Sequence, residues 1–259
     1  MNNDLIEFTL LTLMFIGMGS FVHFFTRVFK FVYEEQSFLD VKKSSFSALI
    51  TLALGWVAVS GLFLLFTASG ISSGNHQEFH LENVIRQLIV SGVFFGPCLI
   101  MMRVRHETWA TSGITKHNTG KSFLLGIVLS AFIFLFNIIT KHLDIGQVLH
   151  AVISPSKLWA LATFLVVGIS EEFGFRGYLQ TRLVLWQGKT WGWLLASTLM
   201  ALGHIIQRMA IMGMSGVNAL LSSLALIPIS LLFGYIMLRT ENIVAGALLH
   251  AFIGWNSVF

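Results

Sequence analysis

The chain has 259 residues, 55% hydrophobic and only 11% charged, with a mean hydropathy of +0.79. A soluble domain carries roughly 25% charged residues, and one core cannot hide several apolar runs of membrane-spanning length, so a water-soluble fold is excluded. The net charge of +4 is spread through loops rather than gathered in a dense run, which excludes a nucleic-acid surface and suits contact with anionic lipid. The single cysteine, Cys98, excludes an intrachain disulfide or a thiolate metal site and reads as a small buried hydrophobe.

In chain order, apolar runs lie at about 5–31, 46–68, 88–102, 122–140, 154–186, 190–206, 217–238 and 243–258. The first has no basic n-region before it and no small-residue cleavage site after it, so it reads as a retained span. Arg27, Lys30, Lys42 and Lys43 lie at or beyond the far end of the first run, and Arg103, Arg105, Lys116 and Lys121 follow the third. The positive-inside rule places these two loops in the cytoplasm, and the N-terminus and the 69–87 and 141–156 loops on the other side. His76 and His80 in the 69–87 loop read as solvated residues. Ser154-Pro155 is a helix start signal, with a serine cap and a proline in the first turn. The fifth run is long for one crossing, and its end, with Arg182 and Lys189, is expected to emerge into the cytoplasm. Pro228 is expected to kink the seventh. The fold expected is all-α, a polytopic bundle of about eight transmembrane helices forming one domain over 1–259.

Three places break the apolar pattern of the last four runs: Glu171, Glu172 and Arg176 together, then His204, then His250. Charged groups inside a bilayer cost several kcal/mol each, so such a cluster marks a functional site by default. Glu172 and Arg176 stand at i,i+4 and face each other as an ion pair. Glu171 is turned by about 100° from Glu172, which leaves one carboxylate over. His204 and Glu171 are each about 15 residues from the turn that joins their helices, hence at similar depth on antiparallel neighbours. His250 reaches the same site if its depth matches. A carboxylate and histidines can activate water, one taking the proton and another stabilising an oxyanion. Glu171, His204 and His250 could equally hold a divalent metal such as zinc with an open position for water. A purely structural knot of bridging histidines is the third use of the same residues.

These residues resemble a family. Glu171-Glu172-x3-Arg176 followed by Gly177-Tyr178-Leu179 is similar to the first motif of the CPBP intramembrane proteases, which include the CAAX prenyl endopeptidases and bacterial proteins linked to bacteriocin processing. The family's second motif, Phe-x3-His, is matched by Met200-x3-His204. Its third, His-x3-Asn/Asp, is matched by His250 with Gly254 in the last place. The resemblance covers about 150–259. It implies Glu171 as the base that activates water, Glu172 as its support paired with Arg176, His204 as the group that binds or polarises water or a metal, and His250 as the oxyanion donor. The side chain that assists at the last step is absent at Gly254.

The resemblance implies an intramembrane endopeptidase acting on a peptide or membrane-protein substrate, and the compactness of the chain suggests a bacterial plasma membrane. Gly254 and Met200 favour an alternative, a non-catalytic scaffold that modulates another membrane protein. A proton-coupled transporter fits less well, because the polar residues sit in one half and no inverted repeat is found.

Overall fold

A computed structural model describes residues 3–33, 38–69, 78–140, 144–210 and 212–259. His76 lies outside them; His80 stands just before the third helix, 3.7 Å from Glu78. Among the described residues the chain is helical, without strands. The helices are α1 (Asn3–Val28), α2 (Val41–Ala68), α3 (Leu81–Val104), α4 (Thr119–Thr140), α5 (Ile145–Val152), α6 (Pro155–Glu171), α7 (Thr181–Gln187), α8 (Lys189–Ala210), α9 (Gly216–Leu224), α10 (Ile227–Thr240) and α11 (Val244–Asn256). A π-helical stretch, Glu172–Gln180, joins α6 to α7. The expected start of α6 is found: Ser154 Oγ accepts from Lys157 N and Pro155 occupies the first turn.

Among the described residues five helices are long and apolar enough to cross a bilayer, or six if α9 and α10 form one bent span. The class is as expected, and the expected eight spans reduce for physical reasons. The bend between α9 and α10, 41°, falls at residues 225–226 rather than at Pro228. That proline sits in the first turn of α10, where its missing N–H is no loss. The last span shortens to the 13 residues of α11. Arg182 does not emerge into the cytoplasm. It is fully buried, because Glu107 from the loop after α3 reaches it, Nη2 to Oε2, at 2.5 Å.

Two apolar clusters organise the bundle. One gathers α2, α3, α8 and the π-helical stretch around Phe94, Phe95, Phe175, Leu179 and Met200. The other gathers α1, α4, α10 and α11 around Val22, Leu125, Phe233 and Leu249. Glu172 and Arg176 lie at the seam between them, since Phe173 and Phe175 beside them in sequence belong to the first cluster, while Phe233, whose ring centroid is 5.9 Å from the Arg176 guanidinium, belongs to the second. α11 packs on α6 and α4. A Cβ on Gly168 of α6 would stand 2.4 Å from the carbonyl oxygen of Ala247, so the α6–α11 contact is one of backbone on backbone, as small residues allow between membrane helices.

The reading of Cys98 as a buried residue holds. Cys98 is fully buried, 3.8 Å from Thr51 Oγ1. His23 bridges helices through Nδ1 to the Tyr235 hydroxyl at 2.9 Å.

Candidate active site

The π-helical stretch sets the site. Its i→i+5 pattern widens the turn, a feature found at functional positions, and all nine of its residues are buried. Two glycines let it sit so deep. A Cβ at Gly174 would stand 1.8 Å from Phe95 Cε1, and one at Gly177 2.2 Å from the carbonyl oxygen of Ser112. Side chains there would lift the stretch off its neighbours and carry the carboxylates with it.

The structure brings Glu171, Glu172, Arg176, His204 and His250 together. Glu172 Oε2 lies 3.6 Å from Arg176 Nε, and both side chains are sealed from solvent. Arg176 Nη2 donates to Ser230 Oγ at 3.1 Å, and Ser230 Oγ donates in turn to the carbonyl of Ser197 at 2.8 Å. Glu172 Oε1 accepts from His250 Nδ1 at 3.2 Å. The ring of Phe233 stacks on that of His250, centroids 5.0 Å apart and planes 15° from parallel, which holds the orientation of the imidazole. The α11 backbone also comes close to this carboxylate: a Cβ at Gly246 would stand 2.8 Å from Glu172 Oε2.

Glu171 is placed differently. Its side chain is 22% exposed where that of Glu172 is 2% exposed. Glu171 Oε2 lies 3.9 Å from His204 Nε2 and 3.8 Å from His250 Nε2 and has no hydrogen-bond partner. His204 Nδ1 is 2.9 Å from the carbonyl oxygen of Met200. A carbonyl only accepts, so that nitrogen carries a proton, and Nε2 is the ring nitrogen that faces Glu171.

The three atoms that face one another are two imidazole nitrogens and one carboxylate oxygen, a donor set chemically suited to zinc. Their separations from Glu171 Oε2, 3.8 and 3.9 Å, exceed the roughly 3.3 Å between ligands in a tetrahedral site with bonds of about 2.0 Å. Among the described residues no three His, Cys, Asp or Glu side chains are arranged to hold a metal ion together.

Glu171, His204 and His250 line a cavity of about 690 Å³. Its walls are largely apolar, with Trp56, Phe94, Phe175 and Phe164 among them. Asn83 and Arg86 from the first turns of α3 and Arg208 from the last turn of α8 also line it. A polar track runs along one wall: Gln87 Nε2 donates to Ser91 Oγ at 3.3 Å, and Ser91 Oγ meets Ser170 Oγ at 2.9 Å.

Gly254 does not face this cavity with spare room. A Cβ there would stand 2.3 Å from Phe164 Cδ1. Asn256 is buried, and its Nδ2 has no hydrogen-bond partner.

Sequence reasoning missed Ser230, Ser197 and Phe233. The serines carried a faint signal, as small polar residues within apolar runs. Phe233 carried none, since it reads as one apolar residue among many in its helix.

Residues 153–256 match the model of a family described as type II CAAX prenyl endopeptidase Rce1-like. No curated protein and no solved structure matches the chain.

Proposed function

Residues 153–256 belong to the type II CAAX prenyl endopeptidase Rce1-like family, and from that premise we propose that the chain is an intramembrane endopeptidase that cleaves a peptide bond with a water activated by Glu171. The observation that carries this reading is Glu171, which lines the cavity and whose Oε2 lacks a hydrogen-bond partner and faces Nε2 of both His204 and His250. The gaps of 3.8–3.9 Å are too long for direct hydrogen bonds, and a water set about 2 Å off either line would lie at ordinary hydrogen-bond distance from Glu171 and the histidine it bridges.

In this reading Glu171 and neutral His204 each accept one hydrogen of the water. Its lone pair is then free to point at the scissile carbonyl. On attack Glu171 takes the proton, the carbonyl oxygen becomes an oxyanion, and His250 Nε2–H stabilises it. Glu172 holds the other ring nitrogen of His250 and so directs Nε2 toward the site. Collapse of the tetrahedral species breaks the C–N bond, and the leaving amine takes the proton from Glu171. Arg176 compensates the charge of Glu172 from the sealed side. The apolar walls exclude bulk water and strengthen each electrostatic contact.

The test is proteolysis of quenched membrane peptides by the purified chain in liposomes, compared with Glu171→Gln. Loss of cleavage with the fold retained is the expected result. Equal rates for both proteins would remove Glu171 from the mechanism.

Gly254 favours a second reading. The packing of Phe164 against its backbone leaves no room for the side chain that the resemblance implies there, and a weakly active or inactive scaffold fits that loss. A folded native chain that cleaves no peptide in the same assay would support it.

A further inference from the structure

Helices of the π type are rare and mostly single-turn bulges, so a run of nine residues, Glu172–Gln180, needs ties outside its own ladder to keep its register. Toward α10 it has two, Arg176 Nη2 to Ser230 Oγ at 3.1 Å and Gln180 Nε2 to the carbonyl oxygen of Gly234 at 2.8 Å. At its far end the next turn reaches back. Thr181 Oγ1 donates to the carbonyl oxygen of Gly177, and Arg182 Nη1 donates to that of Tyr178 at 2.6 Å. The Arg182 guanidinium also lies over the Tyr178 ring, 3.8 Å from its centroid. That guanidinium is fixed from outside the helix. Its Nη2 donates to Glu107 Oε2 at 2.5 Å and its Nε to Ser44 Oγ at 3.0 Å. Glu107 Oε1 accepts from Ser44 Oγ at 2.5 Å and from Arg105 Nε at 3.1 Å. The side chains of Arg182 and Glu107 are 0% and 6% exposed. Neither lines the cavity that holds Glu171, so the chemistry proposed for that cavity does not account for them.

We propose that the Glu107–Arg182 pair is the clamp that holds the π register of this stretch, and that both are positioning residues for hydrolysis, acting through the Tyr178 carbonyl on the direction of Glu171 and Glu172. This rests on the reading of Glu171 as the base. The physical argument is angular. A shift of one residue in register turns one side of the stretch against the other by about 100°, the angle between successive helical residues, and would carry Glu171 Oε2 away from His204 and His250. Arg182 opposes that shift because the carbonyl it holds lies inside the stretch, while its own anchor, Glu107, lies in the loop between α3 and α4. The same loop meets the stretch a second time, with the Ser112 carbonyl oxygen 2.2 Å from where a Cβ at Gly177 would stand. A lysine at 182 is a point charge that can meet Glu107. It lacks the planar fork that reaches Glu107, Ser44 and the Tyr178 carbonyl at once.

The experiment uses the full chain in liposomes. Arg182→Lys tests the fork, and Glu107→Gln/Arg182→Gln removes both buried charges together, so that neither is left uncompensated. For each variant kcat and KM are measured on a quenched membrane peptide, and amide hydrogen exchange is followed in 172–182 and in α10 below the melting temperature. The expected kcat is lower by about 10- to 100-fold, the reach of a misplacement on the order of 1 Å, with KM within about threefold of the native value. Exchange should be faster by about tenfold or more in 172–182 and unchanged in α10. Exchange that rises equally in both segments, with kcat falling in step with the folded fraction, makes the pair a general prop of the fold and overturns the clamp. A loss of kcat without faster exchange in 172–182 overturns it, as does native kcat in both variants. A native chain that cleaves nothing sinks the peptidase reading instead; faster exchange confined to 172–182 then still upholds the clamp, and unchanged exchange overturns it.

Discussion

His250 Nδ1 lies 3.2 Å from Glu172 Oε1, so the histidine of α11 is tied to the sealed carboxylate while its opposite nitrogen faces the open one. Two adjacent glutamates thereby take different parts. Glu172 is enclosed between Arg176, His250 and the backbone at Gly246. Glu171 borders the cavity.

That division predicts two unlike phenotypes. Glu171→Gln should lower cleavage by about 10²–10⁴-fold, the usual reach of a general base, with an unchanged melting temperature in detergent. Arg176→Met should instead destabilise the fold, because removing one partner of a buried pair leaves an uncompensated charge and costs about 3–5 kcal/mol. Thermal unfolding of both variants separates the two. Equal melting temperatures for the native chain and Arg176→Met would show the pair to be dispensable.

A residue at position 254 that restores the implied third motif should fail to restore activity. Gly254→Asn drives a Cβ to within 2.3 Å of Phe164 Cδ1, and overpacking of this kind costs about 1–3 kcal/mol. Adding Phe164→Ala should relieve the clash and recover most of the lost melting temperature. If Gly254→Asn alone melts like the native chain and cleaves faster, α6 and α11 are looser than described.

The chelator prediction follows from the spacing around Glu171. With water held by Glu171, His204 and His250 directly, 1,10-phenanthroline should leave the cleavage rate unchanged within about twofold. Loss of activity restored by added zinc would replace that water site with a metal site built on the same three residues.

The pH prediction concerns Glu107, in the loop between α3 and α4. Burial works against its charged form, but hydrogen bonds from Arg182 and Ser44, the Arg182 charge and a further bond from Arg105 outweigh it and hold its carboxyl below the usual value. A carboxylate depressed in the folded state binds more protons when unfolded, so stability rises with pH. Its contribution is complete above the ordinary carboxylate range, near pH 4–5, and fades as pH falls through the lowered value. Melting temperature should therefore drop more steeply below about pH 4 in the native chain than in Glu107→Gln. Parallel profiles would show that Glu107 does not carry the acid sensitivity.

The charged residues told much of this in sequence, because lipid makes them conspicuous. Glu171, Glu172, Arg176, His204 and His250 stand out against apolar neighbours, and helix arithmetic alone brings Glu171 and His204 to one depth; the structure brings their side chains to 3.9 Å. The register of the π-helical stretch was hidden, since 3.6-residue periodicity was assumed throughout. Arg182 was misjudged for a related reason. Its partner Glu107 is 75 positions away, and a long-range pair has no signature in local hydropathy, so a buried arginine and one emerging into water look alike. The bend before Pro228 was likewise hidden, because a proline marks either the first turn of a helix or a kink within one.

The backbone contacts at Gly174 and Gly177 have a consequence for genetic screens. In a library of single substitutions selected for function, the inactive clones should not concentrate on ionisable positions alone. Alanine at either glycine adds one methyl group and no charge, yet each would collide with Phe95 or with the Ser112 carbonyl; the Phe95 ring is packed against Phe94 and Phe175, and the carbonyl cannot yield without moving its backbone. Such clones would lose protein from the membrane fraction, whereas Glu171 clones would keep normal abundance. A screen that scored immunoblot level beside phenotype would sort the two groups without any assay of chemistry.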